Sequence, residues 1–143
     1  MTFYSIGHSS LAADDFLSHL KRFRIALLAD VRRYPGSRRH PQFDREALRS
    51  LLAAEAIEYL HLGTELGGFR EGSYEEHMRT EDFRRGIAIL RENAHREVAF
   101  LCAEKNPWEC HRRFIAEELI RQGLEVRHIV NGQLMLGSAA PAD

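Results

Sequence analysis

The sequence has few cysteines and no long apolar run. Two cysteines, Cys102 and Cys110, are too few for a secreted disulfide scaffold, and this favours a reducing compartment. No apolar stretch approaches the roughly 18 residues that a membrane span requires. The first residues, Met1 to Ser5, lack the basic start and apolar stretch of a secretion signal. We therefore expect a cytoplasmic protein without a membrane partner.

Lysine is also scarce, because 18 of the 20 basic residues are arginine. The planar fork of arginine suits carboxylate and phosphate groups, so this bias favours an anionic ligand, although GC-rich coding explains it equally well. The formal net charge of −1 argues against a large nucleic-acid footprint. Composition alone identifies no cofactor and gives no oligomeric state.

The length and the hydrophobic content fit a single domain. A chain of 143 residues that is 44% hydrophobic can build one core. We predict one α/β domain over residues 1–132. Residues 133–143 end in small, featureless residues, and we expect this C-terminal tail to fray.

Apolar runs and helical patterns alternate along the chain. The run Ile25–Val31 is almost continuously apolar, as is typical of a strand buried on both faces. Segments with helical spacing of apolar residues separate it from the other runs. We predict a three-layer, Rossmann-like α/β fold with a mostly parallel sheet of roughly five strands. The predicted strands are Phe3–Ile6, Ile25–Val31, Glu58–Leu62, Val98–Cys102 and Glu125–Val130.

Polar residues follow four of these strands. In open parallel sheets, ligands bind beyond the carboxyl ends of the strands. Any one of these segments is an ordinary polar turn, but together they predict a site, with the first segment beside the fourth. The segments are Gly7-His8-Ser9, Asp30-Val31-Arg32, His61-Leu62-Gly63 and Cys102-Ala103-Glu104.

The segment after the fourth strand predicts a helix start close to that site. Asn106 is a good helix cap and Pro107 suits the first helical position. The free N–H groups of such a start attract anions. On a continuous helical wheel, Cys110 points away from the sheet, so we favour Cys102 as the functional thiol and expect no disulfide between them.

The same wheel places Arg112 in the sheet-facing stripe. A buried arginine needs a partner. The carboxylates of Asp30 and Glu104 are structural candidates, and a substrate phosphate or carboxylate is the functional one. Both alternatives stay open at this point. The basic loop Pro35–Phe43, which carries Arg38 and Arg39, is either a solvated surface loop or a lid over the site.

Several motifs occur in one order along the chain: Ile6-Gly7-His8-Ser9, Asp30-Val31-Arg32, Pro35-Gly36-Ser37-Arg38-Arg39, Pro41-Gln42-Phe43, Tyr59-Leu60-His61-Leu62, Glu65-Leu66-Gly67-Gly68, and Cys102-Ala103-Glu104 followed by Pro107-Trp108-Glu109-Cys110-His111-Arg112. With these motifs the chain resembles the domain-of-unknown-function 488 family over nearly its whole length. The resemblance implies family membership and supplies no reaction.

The leading hypothesis is a small enzyme that acts on a phosphate-like or nucleotide-like anion. Cys102 would be the nucleophile or redox thiol, His8 or His61 the acid or base, and Glu104 an orienting carboxylate. The expected substrate-binding residues are Ser9, Asp30, Arg32, Arg38, Arg39, His111 and Arg112.

Two other hypotheses use the same residues differently. A nucleic-acid or nucleotide-binding module would grip phosphates with Arg32, Arg33, Arg38 and Arg39, and would stack bases on aromatic side chains. A metal site would need Cys102, Cys110, His111 and His8 or His61. The spacing of the two cysteines is not that of a zinc site, so we predict no metal ligands.

Overall fold

A computed structural model describes residues 1–36, 39–68 and 70–137 of the chain. Strands and helices alternate over these ranges. The strands are β1 (Thr2–Gly7), β2 (Leu27–Asp30), β3 (Glu58–His61), β4 (Val98–Cys102), β5 (Glu125–Val130) and β6 (Gln133–Leu136). The helices are α1 (Ala13–Arg22), α2 (Arg45–Ala53), α3 (Gly63–Leu66), α4 (Tyr74–His77), α5 (Glu81–Glu92) and α6 (Arg112–Arg121), with 3₁₀ turns at Pro41–Phe43 and Pro107–Glu109.

The strands form one mostly parallel sheet in the order β3-β2-β4-β1-β5-β6. β1 to β5 pair in parallel and β6 pairs antiparallel with β5. The buried strands β2 and β4 are continuous apolar runs apart from Asp30, because helices cover both of their faces. The predicted mostly parallel α/β sheet is confirmed, with one strand more than expected.

The sixth strand lies in the segment that we predicted as a frayed tail. Asn131 and Gly132, between β5 and β6, both have positive φ, 53° and 76°. This is the backbone of a tight two-residue hairpin turn, and an Asn-Gly pair is its strongest sequence signal. The predicted tail boundary is therefore wrong for Gln133–Leu136, and residues 138–143 lie outside the described ranges.

Helices cover the sheet on two sides, as the predicted three layers require. Phe16 of α1 and Leu48 of α2 pack into the core on one face. Phe83 of α5 and Leu119 of α6 pack into the core on the other face. Among the residues that the structure describes, no helix is long and apolar enough to cross a membrane.

The predicted helix after β4 is broken into two pieces. Asn106 caps the first piece as predicted, because its side-chain oxygen accepts the Trp108 backbone N–H at 2.9 Å. That piece is only a 3₁₀ turn, and Cys110 then adopts an extended conformation with φ −128° and ψ 155°. The α-helix begins at Arg112. A wheel drawn through Cys110 as continuous helix is therefore wrong, and with it the inference that this side chain points away from the site.

Candidate active site

The first and fourth strands place their polar ends side by side. Gly7 pairs with Cys102 across the sheet. Beyond the strands, the His8 and Ser9 amides donate to the carbonyls of Cys102 and Ala103 at 3.0 and 2.9 Å. This confirms the predicted adjacency of the two segments.

Gly7 allows the loop after β4 to fold tightly over the end of β1. A Cβ at position 7 would lie 1.6 Å from the Glu104 carbonyl oxygen, so only glycine permits this approach. The approach turns the same carbonyl toward Arg112, whose Nη2 donates to it at 2.8 Å.

A cavity of about 580 Å³ opens at the carboxyl ends of β2 and β4. Its walls come from four segments: the turn after β2, the loop between α3 and α4 with Tyr74, the end of β4, and the start of α6. Its lining residues include Arg32, Arg33, Tyr34, Gly68, Arg70, Cys102, Glu104, Trp108, Glu109, Cys110, His111, Arg113 and Phe114. This is the edge of the sheet at which the sequence predicts a site.

Both thiols lie at this cavity and both are free. Cys102 is 1% exposed and Cys110 is 9% exposed. The Cys102 thiol donates to the Glu104 carbonyl at 3.7 Å, and it lies close enough to Cys110 for each thiol to shift the pKa of the other. Cys110 Sγ also receives the backbone N–H of Arg112 at 3.5 Å and lies 3.5 Å from His111 Nδ1. The break before α6 thus places Cys110 near Cys102, whereas a continuous helical wheel had predicted that the two cysteines lie apart.

The surroundings stabilise Cys110 as the thiolate of this pair. The hydrogen bond from Cys102, followed by His111 and Arg112, holds the pKa of Cys110 well below its ordinary value, although burial opposes this shift. Burial raises the pKa of Cys102, and its contact with Cys110 raises it further. Of the two thiols, the surroundings therefore favour ionisation of Cys110.

His111 is oriented by the turn after β2. Its Nε2 lies 2.9 Å from the Val31 carbonyl oxygen, an acceptor, so Nε2 carries the proton that it donates. This leaves Nδ1 facing Cys110 as the atom that can accept the thiol proton. Gly68 lies against the same ring, and a Cβ there would be 3.3 Å from Nδ1. The imidazole is thus held in one tautomer and one orientation.

Arg112 is fully buried and turns inward as predicted, but neither predicted carboxylate is its partner. Its Nη1 donates to Ser5 Oγ at 2.9 Å, and its Nη2 donates to the backbone carbonyls of Glu104 and Lys105. Within the described residues its Nε has no hydrogen-bond partner. Its charge lowers the pKa of both thiols, so the Cys110 thiolate is the anion that it stabilises.

Asp30 is already paired with Arg32. The Nε and Nη2 atoms of Arg32 donate to the two carboxylate oxygens at 2.8 and 2.7 Å, and Tyr59 adds its hydroxyl at 2.5 Å. Asp30 is fully buried and Arg32 is nearly so. This network fixes the turn that contains Val31, and Arg32, which also lines the cavity, uses its Nε and Nη2 atoms on Asp30.

Two other predicted site residues, His8 and His61, make their contacts away from the two thiols. His8 stacks on Phe43 at 4.6 Å on the opposite face of the sheet. His61 donates from Nε2 to the Arg32 carbonyl at 2.9 Å. Glu104 lines the thiol cavity, and Ser9 lines a neighbouring depression together with Glu104 and Trp108. Arg39 is exposed on its loop, and Arg38 lies outside the described residues.

Three further arginines line the cavity, and of these the sequence pointed only to Arg33, as a phosphate contact of the nucleic-acid alternative. Arg33, Arg70 and Arg113 line the cavity, and none has a carboxylate salt-bridge partner in the described part of the chain. Arg33 directly follows the buried Arg32, and Arg113 directly follows the buried Arg112. Because adjacent side chains point in different directions, the second arginine of each pair could have been expected to face the cavity. Arg70 follows the Gly67-Gly68 pair, and no spacing rule identifies it.

The metal alternative requires several ligands that converge on one point. Within residues 1–36, 39–68 and 70–137, no group of three or more histidine, cysteine or carboxylate side chains is arranged in this way.

A second buried network lies behind the site. The Ser5 hydroxyl hydrogen-bonds to Nδ1 of His128, which is fully buried, and also accepts from Arg112. Burial and the charge of Arg112 lower the pKa of His128 to about 4. Burial likewise lowers the pKa of His8 to about 4. Both imidazoles are therefore neutral near pH 7.

These two histidines are expected to make the fold sensitive to acid. Their pKa values are lower folded than unfolded, so their stabilising contribution is complete above about pH 6.5 and is lost as the pH falls toward 4. At about pH 4.5 each should cost about 2 kcal/mol of unfolding free energy. Urea unfolding at pH 7.5 and 4.5 measures this loss.

The matched variants are His128→Asn, which keeps an acceptor for Ser5, and His95→Asn at an exposed position. His128→Asn should lose its share of the pH dependence, and His95→Asn should behave as wild type. Identical pH dependence in all three proteins would contradict the assignment.

The structure so far defines a small α/β domain with a paired-thiol cavity at the carboxyl edge of its sheet. The family model described as Domain of unknown function DUF488 matches residues 12–119, which is most of the chain. The chain belongs to this family, as its motifs predicted. No curated protein and no solved structure matches the chain.

Proposed function

We propose that the protein is a small thiol enzyme that acts on an anionic substrate, with Cys110 as its nucleophile. One observation carries the proposal: Cys110 Sγ lies at the start of α6, 3.5 Å from both the Arg112 amide and His111 Nδ1, and lines an open cavity. A cysteine at a helix start beside histidine and arginine has the surroundings of reactive thiolates.

The proposed chemistry is a displacement at an electrophilic atom of the substrate. Cys110 Sγ forms a bond to that atom, and the bond to the leaving group breaks. The proton that left the thiol for His111 Nδ1 passes to the leaving group. Cys102 stabilises the thiolate by a hydrogen bond, and Glu104 keeps the orienting role proposed for its carboxylate.

The charges around the cavity support an anionic substrate. Arg33 and Arg113 offer two guanidinium groups, whereas Glu104 and Glu109 offer two carboxylates. Arg70 adds a third positive charge, but its Nε and Nη2 atoms already donate to backbone carbonyls. Arg112, behind the cavity wall, balances the Cys110 thiolate. A phosphate or carboxylate that enters therefore meets guanidinium groups suited to its geometry.

Aromatic rings beside these arginines support a nucleotide-like ligand. The Arg113 guanidinium lies 4.5 Å from the Phe114 ring centroid, and that of Arg33 lies 5.7 Å from the Tyr34 ring centroid. Tyr34 is 66% exposed. A base stacked on such a ring would place its phosphate among the arginines.

The proposal is tested by comparing two alkylating probes that differ in charge. Iodoacetate is anionic and iodoacetamide is neutral, so the ratio of their rates at Cys110 reports the field inside the cavity. We expect this ratio to exceed that of free cysteine, and to fall about 10-fold in the double variant Arg33→Gln/Arg113→Gln. Stopped samples analysed by mass spectrometry give both rates.

The matched control is Arg85→Gln, because Arg85 is an exposed arginine paired with Asp82 outside the cavity. This variant should leave the ratio unchanged, and about 0.5 M salt should lower the wild-type ratio by screening. If the double variant and the control behave alike, the anionic substrate is wrong. Inorganic phosphate should slow alkylation of the wild type if it occupies the cavity.

A second candidate function uses the same cavity without a reaction. The arginine and aromatic pairs would then hold a nucleotide or a short single strand in a non-catalytic module. Binding of an oligonucleotide with a steep salt dependence, unchanged in Cys110→Ser, would favour this alternative. Both candidates keep two free thiols, which fits the cytoplasm as the proposed location.

A further inference from the structure

We propose that Cys102 and Cys110 form a peroxide-reactive dithiol, in which Cys110 is oxidised first and Cys102 closes an intramolecular disulfide. The proposal shares with the proposed function only the thiolate at Cys110. It adds a modification site, a second reacting residue and a hydroperoxide as the oxidant.

Proximity of the two thiols is the first support. The two thiols line the same cavity and lie close enough for each to shift the pKa of the other. Cys102 lies at the end of β4, and Cys110 lies in the extended link between a 3₁₀ turn and α6. The loop between them is short, so one sulfur can approach the other by local adjustment at Cys110.

Access for a small oxidant is the second support. Both cysteines line the open cavity, and Cys110 is the more exposed of the two. A hydroperoxide is small compared with about 580 Å³. The thiolate that reacts is stabilised by the amide of Arg112, and such low-pKa, accessible thiols are the ones that peroxides oxidise.

The chemistry balances in two steps. The Cys110 thiolate attacks hydrogen peroxide, a sulfur–oxygen bond forms, the oxygen–oxygen bond breaks, and hydroxide leaves. Cys102 then attacks the sulfenic sulfur, the disulfide forms, and the sulfur–oxygen bond breaks to release water with the Cys102 proton. The two sulfurs together lose two electrons, and the peroxide gains them.

The environment also favours the second step. In the reduced protein, the negative charge on Cys110 helps to raise the pKa of Cys102, so Cys102 keeps its proton. Oxidation of Cys110 removes that charge, while Arg112 stays beside Cys102 and stabilises its thiolate. His111 Nδ1 lies 3.5 Å from the Cys110 sulfur and can take up a proton there. The resolving thiol therefore becomes easier to deprotonate once it is needed.

The test uses the whole chain, reduced and freed of reductant, then treated with a small excess of hydrogen peroxide. After the remaining thiols are blocked with iodoacetamide, intact mass is measured. We expect a product lighter by two hydrogen atoms, without alkylation, which dithiothreitol returns to the dithiol. Cys102→Ser should stop at a Cys110 sulfenic acid that dimedone traps, and Cys110→Ser should not react.

Wild-type protein that accumulates sulfinic acid at Cys110 while Cys102 remains free would overturn the proposal, and so would dimers joined by disulfides. A titration of wild-type protein in glutathione buffers needs no variant and should show one two-electron transition. The failure of this proposal can be told apart from the failure of the proposed function. An unreactive Cys110 removes both, whereas alkylation at Cys110 with no disulfide removes only this one.

Discussion

Cys110→Ser is expected to lower the rate of alkylation of the native protein at about pH 6 by about 100-fold or more. In the wild type, the Arg112 amide and His111 keep the reactive sulfur ionised at this pH. The variant keeps only Cys102, which is 1% exposed and whose pKa is raised by burial. A buried, protonated thiol is nearly inert toward alkylating agents. Mass spectrometry with iodoacetamide gives the rate.

The matched control is Cys102→Ser, which retains Cys110 and should stay reactive, at a rate lowered by the loss of one hydrogen bond. Circular dichroism should show both variants folded. If Cys102→Ser loses reactivity and Cys110→Ser keeps it, the two thiols have the opposite roles, as the sequence alone had suggested.

Asp30→Ala is expected to cost about 3–5 kcal/mol of unfolding free energy. The substitution leaves the buried Arg32 guanidinium without its carboxylate and the Tyr59 hydroxyl without its acceptor. An unpaired charge in the interior is far more costly than the pair was favourable. Urea unfolding at low temperature measures the loss, and it also reports on the turn whose Val31 carbonyl orients His111.

Asp82→Ala is the surface comparison, because Asp82 and Arg85 are each about half exposed and their pair should contribute less than about 1 kcal/mol. The double variant Asp30→Ala/Arg32→Met should be more stable than Asp30→Ala alone, since it also removes the buried guanidinium that Asp30→Ala leaves unpaired. A loss in Asp30→Ala as small as that in Asp82→Ala would contradict the structural role of the network.

The general architecture was predictable because periodicity and burial act over whole segments. Continuous apolar runs such as β4 indicate strands covered on both faces, and their carboxyl ends had to meet at one edge. The pairing of Asp30 with Arg32 also had a signal, since residues two apart at a strand end lie on one side. We instead kept Asp30 as one candidate partner of Arg112, beside Glu104 and a substrate anion, because these groups were expected at the same edge.

The position of Cys110 was not predictable from spacing. A capping residue followed by proline begins a 3₁₀ turn as readily as an α-helix, and the sequence does not show that the turn stops at Glu109. The extended conformation of Cys110 then changes the directions of the side chains around it, so a helical wheel drawn through this segment gives wrong directions. The sixth strand was missed for a different reason, because its Asn131-Gly132 turn signal was passed over.

The pH dependence of Cys110 alkylation tests the central claim most directly. Iodoacetamide is used on wild-type protein with Cys110→Ser as the background, and the rate constant is followed from about pH 5.5 to about pH 9. A thiolate held by Cys102, His111 and Arg112 predicts a rate that is nearly constant up to about pH 8. A rate that instead rises about tenfold per pH unit toward about pH 8.5, as for an ordinary cysteine, would contradict the account.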